Sequence, residues 1–212
     1  KLSIIAKKYN LWLLEDACHA PGGGFVDSKN QFQHCGNGQY VDAAVFSFHP
    51  VKHIATGEGG MITTNRCDIY EKLLMLRTHG ITRNSQLFYE NHGGWYYEMQ
   101  MLGYNYRLTD IQAALGLSQL KKAEWGLKQR QKIANIYYDE LKNIGDIQLP
   151  FIEKNIAHAF HLFIIKTARR KELCDYLRQH NIFTQVHYIP IHTFPYYRNL
   201  GWKKGDFPIA EA

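Results

Sequence analysis

Short apolar runs of strand length alternate along this chain with polar turns and with apolar residues at helical spacing. This alternation is typical of an α/β protein. Leu11–Leu14 and Ala43–Phe48 are almost entirely apolar, which fits strands of a parallel sheet covered on both faces. We therefore expect a mostly parallel sheet in the first half of the chain, with Met61–Thr64 as a further strand.

Apolar residues at helical spacing predict four helices. These helices are expected at 1–9, 67–79, 108–141 and 169–180, with Thr109 as a cap on the longest. Phe25–Tyr40 is polar and predicts a hairpin or loop, and Gly80–Tyr106 is a long stretch without helical period. Strands predicted at Phe160–Lys166 and Phe183–Tyr188 flank the last helix, so a second, smaller α/β domain is expected.

Composition narrows the function classes. The 212 residues carry a formal charge of +6, which favours anionic ligands such as phosphates. The basic residues are scattered and form no nucleic-acid-binding motif, so we expect no nucleic acid partner. No apolar run is long enough to span a bilayer, and the first ten residues do not resemble a signal peptide. The four cysteines form no CxxC pair, so free thiols, a cytoplasmic location and no metal site are expected.

The residues with the clearest chemical potential follow the two apolar strands. Lys52 lies in a polar turn between strands, where desolvation can make a lysine a nucleophile and a proton carrier. The alternative is an ordinary surface lysine. Asp16 follows the first strand, where ligands of parallel sheets bind, although a helix cap is an equal alternative. Ser47 ends the strand before the lysine.

A lysine, an acid and a hydroxyl at one sheet edge suit pyridoxal 5'-phosphate. The lysine would form its Schiff base, the acid would keep the ring nitrogen protonated, and the hydroxyl and backbone donors would hold the phosphate. Without the acid, the ring would be a poor acceptor for the charge that develops at the substrate carbon.

Five segments extend this hypothesis, because they resemble the DegT/DnrJ/EryC1/StrS group of nucleotide-sugar aminotransferases. The segments are EDACHA, VFSFHPVKHIATGEGGMITTN, LRTHGI, GYNYRLTDIQAALGLSQLKKA and QVHYIPIHTFPYYRNLG. The resemblance implies a fold-type-I pyridoxal phosphate-dependent transferase. It also implies three parts: the C-terminal half of the large cofactor-binding domain (1–106), connecting helices (107–145) and a truncated small C-terminal domain (146–212).

The resemblance also assigns roles to individual residues. It implies that Lys52 forms the Schiff base, that Asp16 pairs with the pyridine nitrogen and that His19 hydrogen-bonds the ring hydroxyl. Ser47 would bind the phosphate, and Asn105 would reach the phosphate of a second subunit in a homodimer with shared active sites. Without the resemblance, His19 reads as a core histidine and Asn105 as a turn residue.

Two further positions are implied less directly. His187 lies where members of the family contact the substrate. His53 follows the lysine where proline is common, and we interpret that difference as neutral.

Within the group, the segments resemble most the 4-aminotransferases of the pseudaminic acid pathway. The implied reaction transfers an amino group from glutamate to a UDP-linked 4-keto-6-deoxy N-acetylamino sugar. The alternatives are a dehydratase of the same group, in which histidine replaces the lysine, and a non-catalytic sugar-nucleotide-binding fragment. Members of the group carry further residues before EDA and after GDFP, so we expect this chain to be a fragment with exposed apolar edges.

Overall fold

A computed structural model describes residues 1–211 of the chain. The chain forms two compact units, one of residues 1–140 with 151–163 and the other of residues 141–150 with the residues from Ile164 on. The three-part division predicted above stays a prediction.

The first unit contains eight short strands, four α-helices and a short 3₁₀ helix (Ser85–Leu87) among the residues described. The strands are β1 (Leu14–Asp16), β2 (Gly24–Val26), β3 (Phe32–His34), β4 (Ala43–Ser47), β5 (Gly60–Thr63), β6 (Ile81–Thr82), β7 (Glu98–Met99) and β8 (Ile156–Ala157). The helices are α1 (Leu2–Lys8), α2 (Cys67–Leu76), α3 (Asp110–Leu120) and α4 (Ala123–Glu140). The two predicted helices and the strands predicted at 43–48 and 61–64 are therefore present, and the predicted hairpin is formed by β2 and β3. The strand predicted at Leu11–Leu14 is observed further along the chain, at Leu14–Asp16.

The central sheet has the strand order β1-β4-β5. β1 and β4 are parallel, with Asp16 in register with Val45, as expected from their apolar sequences. β5 returns antiparallel to β4, so the sheet is mixed. The parallel pair is fixed at its start by Asp42, whose carboxylate accepts a hydrogen bond from the Leu13 N–H at 2.9 Å and pairs with Arg66 at 2.7 Å.

The first turn of helix α3 contacts the connection between β4 and β5. Thr109 and Gln112 form the predicted cap as a reciprocal capping box. The Gln112 amide also donates to the Glu58 carbonyl at 2.9 Å, and Gly116 lies close to the Thr56 methyl group. The start of α3 is therefore attached to the glycine-containing end of the turn.

The long helix predicted over 108–141 is wrong as a single element. The helix ends at Leu120 and α4 begins at Ala123. The Lys122 N–H donates to the Gln119 carbonyl at 2.9 Å, which is an i to i−3 bond. This tighter turn interrupts the α-helical ladder, and the spacing of apolar residues does not reveal it.

The second unit contains three α-helices, a short 3₁₀ helix (Ile191–Thr193) and no named strand among the residues described. Its helices are α5 (Arg170–Gln179), α6 (Pro195–Asn199) and α7 (Pro208–Glu211). The helix predicted at 169–180 is confirmed by α5, but the strands predicted at Phe160–Lys166 and Phe183–Tyr188 are wrong. Lys166 forms only an isolated bridge with Gln148. An extended segment becomes a strand only where a neighbouring segment satisfies its backbone groups.

Much apolar surface is exposed on the central sheet. Leu14 is 63%, Met61 51% and Ile62 45% exposed, and β1 and β5 have no further neighbours among residues 1–211. No large side chain in this described range is fully buried. Exposed apolar strands at sheet edges are sites of association.

We expect the 212-residue chain to self-associate when it is produced by itself and to lack a cooperative thermal transition. The cause is the exposed apolar surface of β1, β4 and β5. Circular dichroism during heating and light scattering would measure both properties, with the full-length gene product as the control. A monomeric chain with a sharp transition would contradict this expectation.

Candidate active site

Asp16 is the last residue of β1 and lies beside β4 in the parallel pair. Its Oδ1 accepts a hydrogen bond from the Cys18 N–H at 3.0 Å. The pKa of Asp16 lies below its ordinary value, chiefly because Cys18 hydrogen-bonds to the carboxylate, with the charges of His19 and Lys52 acting in the same direction. The carboxylate is therefore negative at neutral pH and lies within electrostatic reach of Lys52.

Lys52 lies in the connection between β4 and β5, residues 48–59, which we name the Lys52 loop. The loop is closed at its base, because the Thr56 N–H donates to the Phe48 carbonyl and the Phe48 N–H donates to the Gly59 carbonyl. Within it, the Lys52 N–H donates to the His49 carbonyl at 2.9 Å. Gly57 has a φ of +83°, a conformation that favours glycine. The backbone around Lys52 is therefore fixed.

The Lys52 side chain is partly buried and forms no ion pair within 4.0 Å in residues 1–211. Ser47 ends β4, and its Oγ accepts a long hydrogen bond of 3.4 Å from the His49 N–H. The Ser47 hydroxyl keeps its own hydrogen to donate. An amine, a hydroxyl and a carboxylate thus lie around the ends of β1 and β4.

Three histidine rings lie beside the lysine. The ring centroids of His19 and His161 are 4.2 Å apart, and those of His161 and His53 are 5.3 Å apart. Burial lowers the pKa of His161 to about 4, and the neighbouring charges of His19, Lys52, His53 and Arg130 add to this effect. Burial also lowers the pKa of His53. His53 and His161 are therefore uncharged at neutral pH.

The structure brings four of the predicted residues to one region. Asp16, His19, Ser47 and Lys52 all lie at or just after the ends of β1 and β4. Asn105 is exposed and lies in a segment that bridges to Thr78 after α2.

His187 belongs to the second unit and stacks on Tyr188. Its Nδ1 is buried and has no hydrogen-bond partner in the described part of the chain. The roles assigned to all six predicted residues stay predictions.

Sequence reasoning missed three residues near Lys52 and gave a fourth, His53, no role. The three are Cys18, Arg130 and His161, and the charges or rings of all four interact with Asp16, Lys52 or each other. The spacing of Arg130 and His161 from the lysine carries no signal, because only the fold brings them there. Cys18 and His53 lie next to predicted residues, and this adjacency was the available signal.

Residues 1–211 contain neither a metal-binding cluster nor a membrane-spanning helix. No group of three or more histidine, cysteine or acidic side chains is arranged to hold a metal ion. No helix in that range combines the length and the apolar character that a membrane crossing requires. All four cysteines are free thiols.

Residues 1–212 match the DegT/DnrJ/EryC1/StrS aminotransferase family, and the chain belongs to that family. Its resemblance in sequence to this family is thereby confirmed, and the likeness to a solved aminotransferase of the same family from Brucella abortus (TM-score 0.79, 26% identity) confirms the fold class.

Three proteins with similar sequences or structures illustrate what this chain resembles within the family. Protein MJ1066 of Methanocaldococcus jannaschii, whose function is uncharacterized, is 44% identical over 98% of this chain and 54% of its own length. The UDP-4-amino-4,6-dideoxy-N-acetyl-beta-L-altrosamine transaminase of Campylobacter jejuni is 35% identical over 94% of this chain and 50% of its own. The PLP-form structure of a putative sugar aminotransferase from Streptococcus pneumoniae has a TM-score of 0.77 at 28% identity, covering 97% of this chain and 51% of that chain. The chain thus spans about half the length of the curated relatives it matches.

The low pKa of His161 predicts a pH dependence of stability. A histidine in the unfolded chain has a pKa of about 6.5, so the unfolded state binds a proton between about pH 6.5 and pH 4 while folded His161 does not. The stability contribution of neutral His161 is therefore present above about pH 6.5 and is lost as the pH falls through about 4. We expect His161→Phe to reduce the loss of stability on acidification, measured as urea midpoints of the full-length protein at about pH 7 and about pH 5.

The matched control is His180→Phe at an exposed position of the second unit. That variant should keep the acid sensitivity of the wild type. Equal acid sensitivity of His161→Phe and the wild type would contradict the expectation.

Proposed function

We propose that this chain forms the catalytic lysine-containing part of a pyridoxal 5'-phosphate-dependent nucleotide-sugar aminotransferase. The observation that carries the proposal is the position of Lys52 and ionised Asp16 around one end of the β1–β4 pair. Membership of an aminotransferase family and the PLP-form of the S. pneumoniae neighbour support the cofactor.

The residues around β1 and β4 fit that cofactor. The Oδ1 of Asp16 accepts a hydrogen bond from the Cys18 N–H, and an ionised carboxylate offers about four acceptor positions on its two oxygens, so Asp16 can also accept from a protonated ring nitrogen. His19 would bind the ring hydroxyl. Ser47 can donate its hydroxyl hydrogen to a phosphate oxygen, and the charge of Lys52 favours an anionic ligand.

Pyridoxal phosphate, when bound, supplies an aldehyde that reacts with amines and a protonated ring that accepts electron density. The protein residues do the remaining work. The Lys52 amine would take the proton that leaves the substrate carbon and hold it for return, which requires a positioned amine. Asp16 holds the proton at the ring nitrogen, because a negative carboxylate stabilises a positive neighbour. The closed base of the Lys52 loop limits the positions that the amine can reach.

The substrate assignment goes further. We propose glutamate as the amino donor and a UDP-linked 4-keto-6-deoxy N-acetylamino sugar as the acceptor, which the 35% identity to the C. jejuni transaminase supports. His187 would contact this substrate. Asn105 would bind the cofactor phosphate of a second subunit, so that a homodimer shares its two sites.

The two alternative functions, a dehydratase and a non-catalytic binding protein, differ from the proposed one in observable ways. A dehydratase of the same group would carry histidine at position 52, whereas this chain has lysine. A non-catalytic nucleotide-sugar-binding protein would not gain cofactor absorbance when pyridoxal phosphate is added. An absorbance scan with the cofactor, followed by glutamate, separates that protein from the enzyme.

Lys52→Ala should abolish turnover and the absorbance of the lysine-bound cofactor in the full-length protein, because alanine has no amine. Lys52→Arg should also be inactive, since it keeps the charge but cannot react with the aldehyde or lose its proton. Exposed Lys72→Ala is the matched control and should retain both signals. Turnover by either Lys52 variant would exclude the proposal.

Asp16→Asn should leave the fold intact and lower turnover by roughly 100-fold or more, the range seen when one preorganised polar group is removed from a transition state. The amide cannot hold the ring nitrogen in its protonated form. Asp16→Glu keeps the charge and should recover part of the rate. Single-turnover rates with glutamate would measure this difference, and an unchanged rate for Asp16→Asn would contradict the assigned role.

A further inference from the structure

His53 joins the Lys52 loop to a distant part of the chain. Its Nε2 lies 3.0 Å from the carbonyl oxygen of Ala159, a residue 106 positions further on. A carbonyl oxygen only accepts hydrogen bonds, so Nε2 carries the hydrogen and donates it. Ala159 is only 4% exposed, and this hydrogen bond is partly shielded from water.

The acceptor belongs to a turn of unusual backbone conformation, residues 158–161, which we name the 158–161 turn. Phe160 has a φ of +49°, in the left-handed region that bulky residues rarely adopt. The Phe160 N–H donates to His158 Nδ1 at 3.0 Å, which stabilises this conformation from within. Such a conformation persists only when surrounding contacts determine it.

Three successive carbonyls of the turn accept hydrogen bonds from side chains. Gln131 donates to the carbonyl of residue 158 at 3.4 Å, and Arg130 donates to that of Phe160 at 3.5 Å. Both donors lie on α4. The middle and shortest of the three bonds comes from His53, the residue next to Lys52. His53 thus supplies the contact by which the 158–161 turn is attached to the Lys52 loop.

The hydrogen bond from His53 to Ala159 also holds the His53 ring next to the other two histidine rings of the site. The His53 ring lies against His161, and His161 lies against His19. Burial holds the pKa of His53 below its ordinary value, although the hydrogen bond to Ala159 opposes this shift. An uncharged His53 adds no positive charge next to Lys52.

We propose that His53 is a positioning residue for the proposed transamination, and that its hydrogen bond to Ala159 fixes the direction of Lys52 relative to Asp16 and His19. This inference rests on the proposed function. A lysine side chain has four rotatable bonds, and a misplacement of about 1 Å at a reacting group can lower a rate about 100-fold. The interpretation of His53 as a neutral replacement for proline is thereby revised.

Four variants of the full-length protein loaded with pyridoxal phosphate test the role. His53→Leu removes the donor while keeping an apolar side chain of moderate size. His53→Gln places an amide nitrogen near the position of Nε2, whereas the amide of His53→Asn is one bond too short. His180→Leu is the matched control, because His180 also contacts a main-chain carbonyl, that of Tyr176 at 2.8 Å, but is exposed in the second unit.

The readouts are the pH midpoint of the cofactor absorbance, the dissociation constant of the cofactor, and kcat separated from KM. We expect His53→Leu and His53→Asn to shift the absorbance midpoint and to lower kcat about tenfold or more with little change in KM. His53→Gln should recover both properties, and His180→Leu should behave as the wild type. If His53→Leu does not fold, the comparison of His53→Gln with His53→Asn decides the question.

Equal absorbance midpoints and equal kcat for His53→Gln and His53→Asn would overturn the inference and leave the proposed function in place. A wild-type protein without cofactor absorbance would instead overturn the proposed function, and this inference with it. The two failures are therefore distinguishable.

Discussion

The parallel pairing of β1 with β4 is the constraint on which the candidate site depends. Parallel strands end at the same edge of a sheet, so the residues that follow them meet there. The register of Asp16 with Val45 places the carboxylate two positions before the level of Ser47, at the base of the Lys52 loop. A shift of one residue in this register would turn the Asp16 side chain to the opposite face of the sheet. Asp42 opposes such a shift by bonding both to Leu13 and to Arg66.

A second constraint is the fixation of the Lys52 loop from several directions. Its base is closed by backbone hydrogen bonds at Phe48, its far end is bonded to α3 through Gln112 and Glu58, and its centre is bonded to the 158–161 turn through His53. The Lys52 amine itself has no ion-pair partner in residues 1–211. A rigid backbone with an uncommitted functional group is the arrangement that makes a group available for reaction with little reorganisation.

Those features of the site that depend on residues adjacent in the chain could be predicted from the sequence. The apolar run before Lys52 located β4, the run at Leu11–Leu14 indicated β1 but placed it too early, and Thr109 correctly marked the start of α3. Those features depend on neighbouring residues. The contact between His53 and Ala159 spans 106 positions, and no periodicity encodes it. The strands predicted after residue 160 failed for a related reason, because alternation of apolar residues does not state whether a pairing partner is present.

The burial of the histidines gives the site its electrostatic character. If His53 and His161 were charged, they would add two positive charges to those of Lys52 and Arg130, which already act on both rings. Burial keeps both rings neutral, since desolvation disfavours the charged form of a histidine. The positive charges of Lys52 and Arg130 then lie with the negative carboxylate of Asp16, and this combination suits a ligand with an anionic phosphate and a cationic ring nitrogen. The same rings that fill the space around the lysine therefore also keep its surroundings compatible with such a ligand.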